Sequence, residues 1–287
     1  MPSRHSFPEL ETRKMRSAKT RTVLLMTFLL VATCAGIPGF ALCGERNPSG
    51  AAPTANETEL QAKDVVSVLE TGDTNRLLML ITRYPRLPEA ILTTDGVGSL
   101  GYAAAIGNMG ALRILLGAGA PLDARDKLAR TALYLAIANA REAAALLLIA
   151  AGANVNLPDQ TGASPLHLVA KRGLSIVASD LLSHGAVVDA RTARETTPLA
   201  TAAYFGHMSV VRLLIEGAAD IDHADMDGVT ALHCAAQSKK PEVVRYLLGK
   251  GANADAKDNG GKTPADWARQ ADDREIEGLL TGKAGKP

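Results

Sequence analysis

At 287 residues, with 47% hydrophobic but only 3% aromatic content, the chain is long enough for one or two ordinary domains yet poor in the rings that fill most sheet cores. Its formal charge of +1 comes from the N-terminus: residues 1–44 hold six Lys or Arg and two Asp or Glu, and without them 25 basic and 28 acidic residues leave a net charge of −3. That near-balance gives no reason to expect a nucleic-acid partner, and three cysteines, two of them at Cys34 and Cys43, make no disulfide framework.

In chain order, residues 1–21 are polar and basic, with Arg13, Lys14, Arg16, Lys19 and Arg21, and an uncharged run follows over 22–44. Its apolar heart at 23–32 precedes Gly36, Pro38 and Gly39, which break a helix. Charged, apolar and helix-breaking parts in this order read as a bacterial-type secretory signal, with cleavage after Cys43 or Gly44; Met15 would give a more compact start. An uncleaved signal anchor is the rival reading, because 23–42 is about the 20 residues a span needs. A lipoprotein fits less well, since Thr33 stands before Cys34 where a small Gly, Ala or Ser is wanted. Residues 45–59, with Pro48, Ser49, Gly50 and Pro53, have little to bury and form a flexible linker. Asn56-Glu57-Thr58 within it is read as a chance sequon.

Residues 60–94 read as a degenerate N-terminal capping repeat. Val65, Val66, Val68 and Leu69 lie on one helix and Leu77, Leu78, Leu80 and Ile81 on the next, with Gly72-Asp73 turning between them. Interleaved Lys63, Asp64 and Glu70 suit the polar end that a stacked array requires.

From Gly98 onward one interval organises everything. Thr131, Ser164, Thr197, Thr230 and Thr263 stand 33 residues apart, heading Thr131-Ala132-Leu133-Tyr134, Ser164-Pro165-Leu166-His167, Thr197-Pro198-Leu199-Ala200, Thr230-Ala231-Leu232-His233 and Thr263-Pro264-Ala265-Asp266. A second motif keeps the same period at Gly119-Ala120, Gly152-Ala153, Gly185-Ala186 and Gly251-Ala252. Thr or Ser is a natural N-cap, and Pro beside it fits the first helical turn, where its missing N–H is not needed. Leu and the following Ala pairs, such as Ala103-Ala104, Ala202-Ala203 and Ala235-Ala236, let short helices approach closely. Gly107, Gly173 and Gly206 break the first helix; a second begins with Leu112, Leu115 and Leu116, or with Val210, Val211 and Leu214. The later glycine suits a left-handed helix end, and an extended finger closed by turn residues such as 159–162 leads onward.

Over roughly two-thirds of the chain this pattern resembles the ankyrin-repeat family. The resemblance implies an all-α solenoid of about seven helix-turn-helix units with β-hairpin-like fingers: repeats over 95–258, and a C-terminal capping repeat and tail over 259–287. Departures are local. Gly98 lacks a capping side chain, Ala140 and Lys239 replace the first-turn glycine, and Ala218 holds a helix-ending position that is glycine elsewhere. If Ala218 is left-handed the strain is about 1 kcal/mol; otherwise the helix end moves to Gly217.

Reactive chemistry is sparse. His167 and His233 recur two repeats apart, about 20 Å at helix spacings of 8–10 Å, too far to share an ion, so they are read as bonded to neighbouring loops. Cys234 reads as a buried small thiol. The acidic segment 220–228 places His223 and Cys234 where a calcium loop needs carboxylates, and reads as an ordinary finger. No phosphate loop or triad is found, so neither cofactor, metal nor enzyme activity is expected.

Carried over from the family, partners are gripped by finger tips and exposed first-helix positions. Here that implies Lys171, Arg172, Tyr204 and Phe205 on the helices and Arg191, Arg194, Asp225 and Met226 on the fingers, a mid-array patch of aromatics flanked by positive charge. The expected function is a monomeric, exported, periplasmic module that binds another protein. A membrane-tethered scaffold and a host-directed effector are the alternatives.

Overall fold

A computed structural model describes residues 62–282; the signal expected over 1–44 and the linker expected over 45–59 lie outside the described residues. Fourteen α-helices occur among them, two per unit. The first unit is α1 (Ala62–Thr71) and α2 (Thr74–Arg83), followed by a 3-10 turn at Leu87–Glu89. Then come α3 (Ser99–Ile106) with α4 (Met109–Gly117), α5 (Ala132–Ala138) with α6 (Glu142–Ala150), and α7 (Pro165–Arg172) with α8 (Ser175–Ser183). The last three units are α9 (Pro198–Phe205) with α10 (Met208–Glu216), α11 (Ala231–Gln237) with α12 (Pro241–Gly249), and α13 (Pro264–Gln270) with α14 (Arg274–Leu280). Odd-numbered helices pack side by side as an inner layer, even-numbered ones as an outer layer.

Each inner helix starts as its sequence dictates. The Thr131, Thr197 and Thr263 hydroxyls accept from the N–H groups of Tyr134, Ala200 and Asp266, satisfying a donor that the helix leaves unpaired. At Gly98 no side chain caps α3, and the Ser99 hydroxyl donates instead to the Pro88 carbonyl at 2.8 Å. The core is one continuous sandwich of the two layers, in which Ala103, Ala104, Ala202, Ala203, Ala235 and Ala236 are fully buried. No helix could bury its apolar face alone, so stability is shared between neighbours.

The departing residues adopt the backbone their positions demand. Ala140, Lys239 and Asp272 take φ of 54°, 56° and 55° where the other four units use Gly72, Gly107, Gly173 and Gly206. α10 ends at Glu216, Gly217 keeps φ of −78°, and Ala218 is left-handed at 63°. Two further residues, Ala129 and Glu195, hold the left-handed finger position that Gly162, Gly228 and Gly261 occupy elsewhere.

One sequence expectation is corrected in the first unit. Leu78 does not join the buried face of α2: it is 50% exposed, and Met79 is 67% exposed. Leu77, Leu80, Ile81 and Tyr84 form the 3.6-period stripe that faces the core, and Leu78 stands one position off it. The N-terminal cap therefore presents apolar as well as charged side chains to water.

Candidate functional site

Between consecutive units the fingers form a hydrogen-bonded ladder. Within each finger an acceptor side chain closes a turn: Asp126, Asp159, Asp225 and Asp258 each accept two backbone N–H bonds through Oδ1, and Thr192 does the same through its hydroxyl. Between fingers, the N–H groups of Gln160, Ala193, Met226 and Asn259 donate to the carbonyls of Leu128, Thr161, Arg194 and Asp227 at 2.9–3.1 Å. A parallel rail runs through Asp123, Asn156, Asp189 and Asp222, whose side chains accept from the N–H groups of Asn154, Val187, Asp220 and Asn253 in the next unit. Among the described residues the fingers contain no regular strand, and the single antiparallel bridge joins Ile91 and Gly98. Hairpin-like shape here is held by side chains as much as by backbone.

The histidines belong to this framework. His167 Nδ1 accepts from the Ser164 N–H at 3.2 Å, while Nε2 lies 2.9 Å from the Thr196 carbonyl. His233 repeats the arrangement with the Thr230 N–H at 3.3 Å and the Lys262 carbonyl at 3.1 Å. A carbonyl can only accept, so Nε2 carries the proton in both rings. Burial lowers the proton affinity of each, partly offset by those carbonyl bonds and nearby aspartates. Tyr134 substitutes for histidine in the third unit by donating its hydroxyl to Asp159 at 2.8 Å. Burial and that bond raise the phenol's pKa. Burial pulls Asp159 upward too, but the hydrogen bonds from Thr161 and Tyr134 win, and its pKa ends lowered. Cys234 is buried and its pKa is pushed up to about 12 by desolvation, which makes it a poor nucleophile.

The eight residues singled out on the inner surface fall into two groups at opposite ends of the inner helices. Lys171 and Arg172 end α7, and Tyr204 and Phe205 end α9; Arg191, Arg194, Asp225 and Met226 sit on fingers that enter the N-termini. An eight-residue helix separates the groups by about 12 Å. On the finger side the charge is largely cancelled: Arg191 pairs with Glu195 at 2.9 Å, and Arg194 pairs with Asp227 of the next finger. Asp225 spends its carboxylate on the turn N–H groups of Asp227 and Val229. Met226 projects, 62% exposed.

At the other end the rings are unequal. Tyr204 is half-buried against the core, whereas Phe205 is 37% exposed, as expected for adjacent helical residues pointing about 100° apart. They meet edge to face with centroids 5.2 Å apart, and Phe205 also stacks on His207 at 6.2 Å. His207 Nε2 donates to the Lys171 carbonyl at 3.2 Å, tying α7 to the following turn.

The helical pairs, their 33-residue ladder and the recurring caps agree with a family comparison: the profile described as Ankyrin repeats (3 copies) matches residues 100–192, 147–225, 166–258 and 219–284. The chain belongs to the ankyrin-repeat family. Ankyrin repeats generally mediate protein–protein interaction and are typically non-catalytic binding modules. The matches begin at residue 100, so α1 and α2 lie outside them. No curated protein matches the chain.

The sequence reading passed over the Asx rail, although its signal is present: Asp123, Asn156, Asp189 and Asp222 keep the 33-residue period as strictly as the threonines do. It also passed over Arg141, His207 and Lys240, a third residue series in register with the turns.

Proposed function

We propose that this ankyrin array is an exported, non-catalytic module that binds another protein in the periplasm. The observation that carries the binding reading is how the side chains are used. His167, His233, Asp225 and the finger aspartates are consumed in scaffold bonds, while mid-array the C-terminal end of α9 keeps Phe205 exposed at the position that the exposed Arg172 holds in the preceding unit. Exposed aromatics next to arginine are common interface anchors. Export rests on the order of basic, apolar and helix-breaking residues over 1–44.

Cross-linking in intact cells, with mass-spectrometric identification of the captured protein, tests the binding reading. Phe205→Ala weakens capture while the far-ultraviolet circular dichroism stays unchanged; no specific capture, or equal capture by both forms, counts against it. The mass of the chain from the same cells tests export. Loss of about 43 residues means a cleaved signal. Retention of the uncharged run at 23–42 favours the second reading, a scaffold tethered to the inner membrane.

A further inference from the structure

The turn joining inner to outer helix repeats along one edge of the array, and its charge changes in blocks. At the first unit it carries Asp73, whose carboxylate caps α2 through the Arg76 N–H at 2.9 Å. At the last it carries Asp272 and Asp273, the latter capping α14 through the Ile276 N–H at 3.0 Å. Between them the edge is basic, with Arg141, Arg172, Lys239 and Lys240 opposed by Glu142 and Glu242 in the first turns of α6 and α12.

These groups are laid down in order by the turn backbone. Gly107, Gly173 and Gly206 are left-handed, with φ of 80°, 75° and 76°, and each is covered by a side chain from the next unit. A Cβ on Gly107 would lie 2.9 Å from Arg141 Cδ, one on Gly173 2.5 Å from His207 Nδ1, and one on Gly206 2.5 Å from Lys240 Cδ. His207, stacked on Phe205, therefore covers the turn that follows Arg172, and the Lys240 stem covers the turn that follows Phe205. None of Arg172, Lys239 and Lys240 forms an ion pair among the described residues, in contrast to the paired Arg191 and Arg194 of the fingers.

A helix C-terminus attracts a cation without any partner, which accounts for about one basic residue per turn. It does not account for two adjacent lysines after α11, nor for an exposed phenyl ring between cations. We infer that this edge binds an extended acidic segment of the partner protein, with one apolar side chain seated on Phe205. From Arg141 to Lys240 the edge spans three repeat steps of about 10 Å each, which an extended chain rising about 3.3 Å per residue covers in roughly nine residues. Asp272 and Asp273, one repeat step beyond Lys240, repel a longer acidic run at that end, whereas Asp73 lies two steps before Arg141. This inference rests on the protein-binding reading and specifies its partner's chemistry.

The test uses the full chain and a fluorescent nine-residue peptide of Asp and Glu with a central Leu, read by anisotropy. The unmodified protein binds it, and the Asn/Gln version of the peptide binds at least about tenfold more weakly. Arg172→Glu with Lys240→Glu abolishes binding, Phe205→Ala weakens it about fivefold, and Arg191→Glu with Arg194→Glu leaves it within about twofold. Raising salt from 0.05 to 0.5 M costs about tenfold or more. No binding by the unmodified protein, or greater loss from the finger pair than from the edge pair, overturns the inference. So does equal affinity for phosphatidylglycerol vesicles or a single-stranded oligonucleotide, which would make the edge an unselective anion face. Cross-linking separates this from the broader reading: capture that survives the edge reversals sinks the acidic-segment inference and leaves protein binding standing.

Discussion

Replacing His233 probes both the lateral bonding of the array and its acid sensitivity. The ring meets three groups: Nδ1 accepts from Thr230, through its N–H and its hydroxyl, Nε2–H reaches the Lys262 carbonyl of the next finger, and its edge meets Trp267 with centroids 5.3 Å apart. A cap acceptor is worth about 1 kcal/mol, a net hydrogen bond about 1 kcal/mol and an aromatic pair about 1 kcal/mol. His233→Ala should therefore lose about 3 kcal/mol, a drop of about 1 M or more in the urea midpoint followed by circular dichroism. His233→Gln can still cap, as Gln does at this helix position, but cannot meet Lys262 and Trp267 together, so it should lose about 2 kcal/mol. The pH dependence has a definite sign. Burial lowers the proton affinity of His167 and His233 in the fold, so below about pH 6.5 the unfolded chain binds more protons. The contribution is fully present above that pH and drains away as pH falls toward the folded-state value, by about 1.4 kcal/mol for every tenfold difference in proton affinity. The double variant His167→Gln with His233→Gln should flatten stability between pH 6.5 and 5 relative to the unmodified chain. An unchanged midpoint for His233→Ala at pH 7.5, or an acid loss kept in full by the double variant, would refute the assignment.

Backbone strain gives an independent check. Ala218→Gly should be neutral to stabilising by about 1 kcal/mol, since it relieves a left-handed alanine while loosening the unfolded chain. Gly185→Ala, where nothing lies within 4 Å of the new Cβ, should cost about 1 kcal/mol in urea unfolding; Gly162→Ala should cost more, because its Cβ would sit 2.8 Å from the Ala193 nitrogen. Asp222→Ala removes the acceptor for the Asn253 N–H and should speed amide exchange at Asn253 while lowering stability by about 1 kcal/mol. Iodoacetamide at pH 8 should leave Cys234 unmodified in the native chain and alkylate it fully in urea, because the thiol is buried and its pKa is pushed up to about 12; rapid native labelling would contradict that environment.

The fold was legible because every unit solves the same problem with the same residues. Thr131, Thr197 and Thr263 can be read as caps from local chemistry alone, and the buried alanine pairs follow from the helix period that begins there. What escaped the sequence is set by partners about one repeat away. Asp222 looks like a turn residue until the Asn253 N–H, 31 positions on, is seen to need it. Arg194 looks available until Asp227, 33 positions on, is found against it. Nearer in sequence, Arg191 could be counted as a positive charge but not recognised as paired with Glu195. Which of two neighbouring rings faces outward also depended on where α9 packs, and that left Phe205 exposed and Tyr204 against the core.

The finger ladder also governs how such a chain can change in length. Each rail bond joins a donor to an acceptor in the adjoining unit, 31 residues away at Asp123 and Asn154 as at Asp222 and Asn253. Duplicating or deleting one whole unit would hand every group an equivalent mate. A single residue inserted between Thr197 and Thr230 would instead leave a donor and an acceptor out of step at that seam. Growth by complete modules is thus written into the spacing itself.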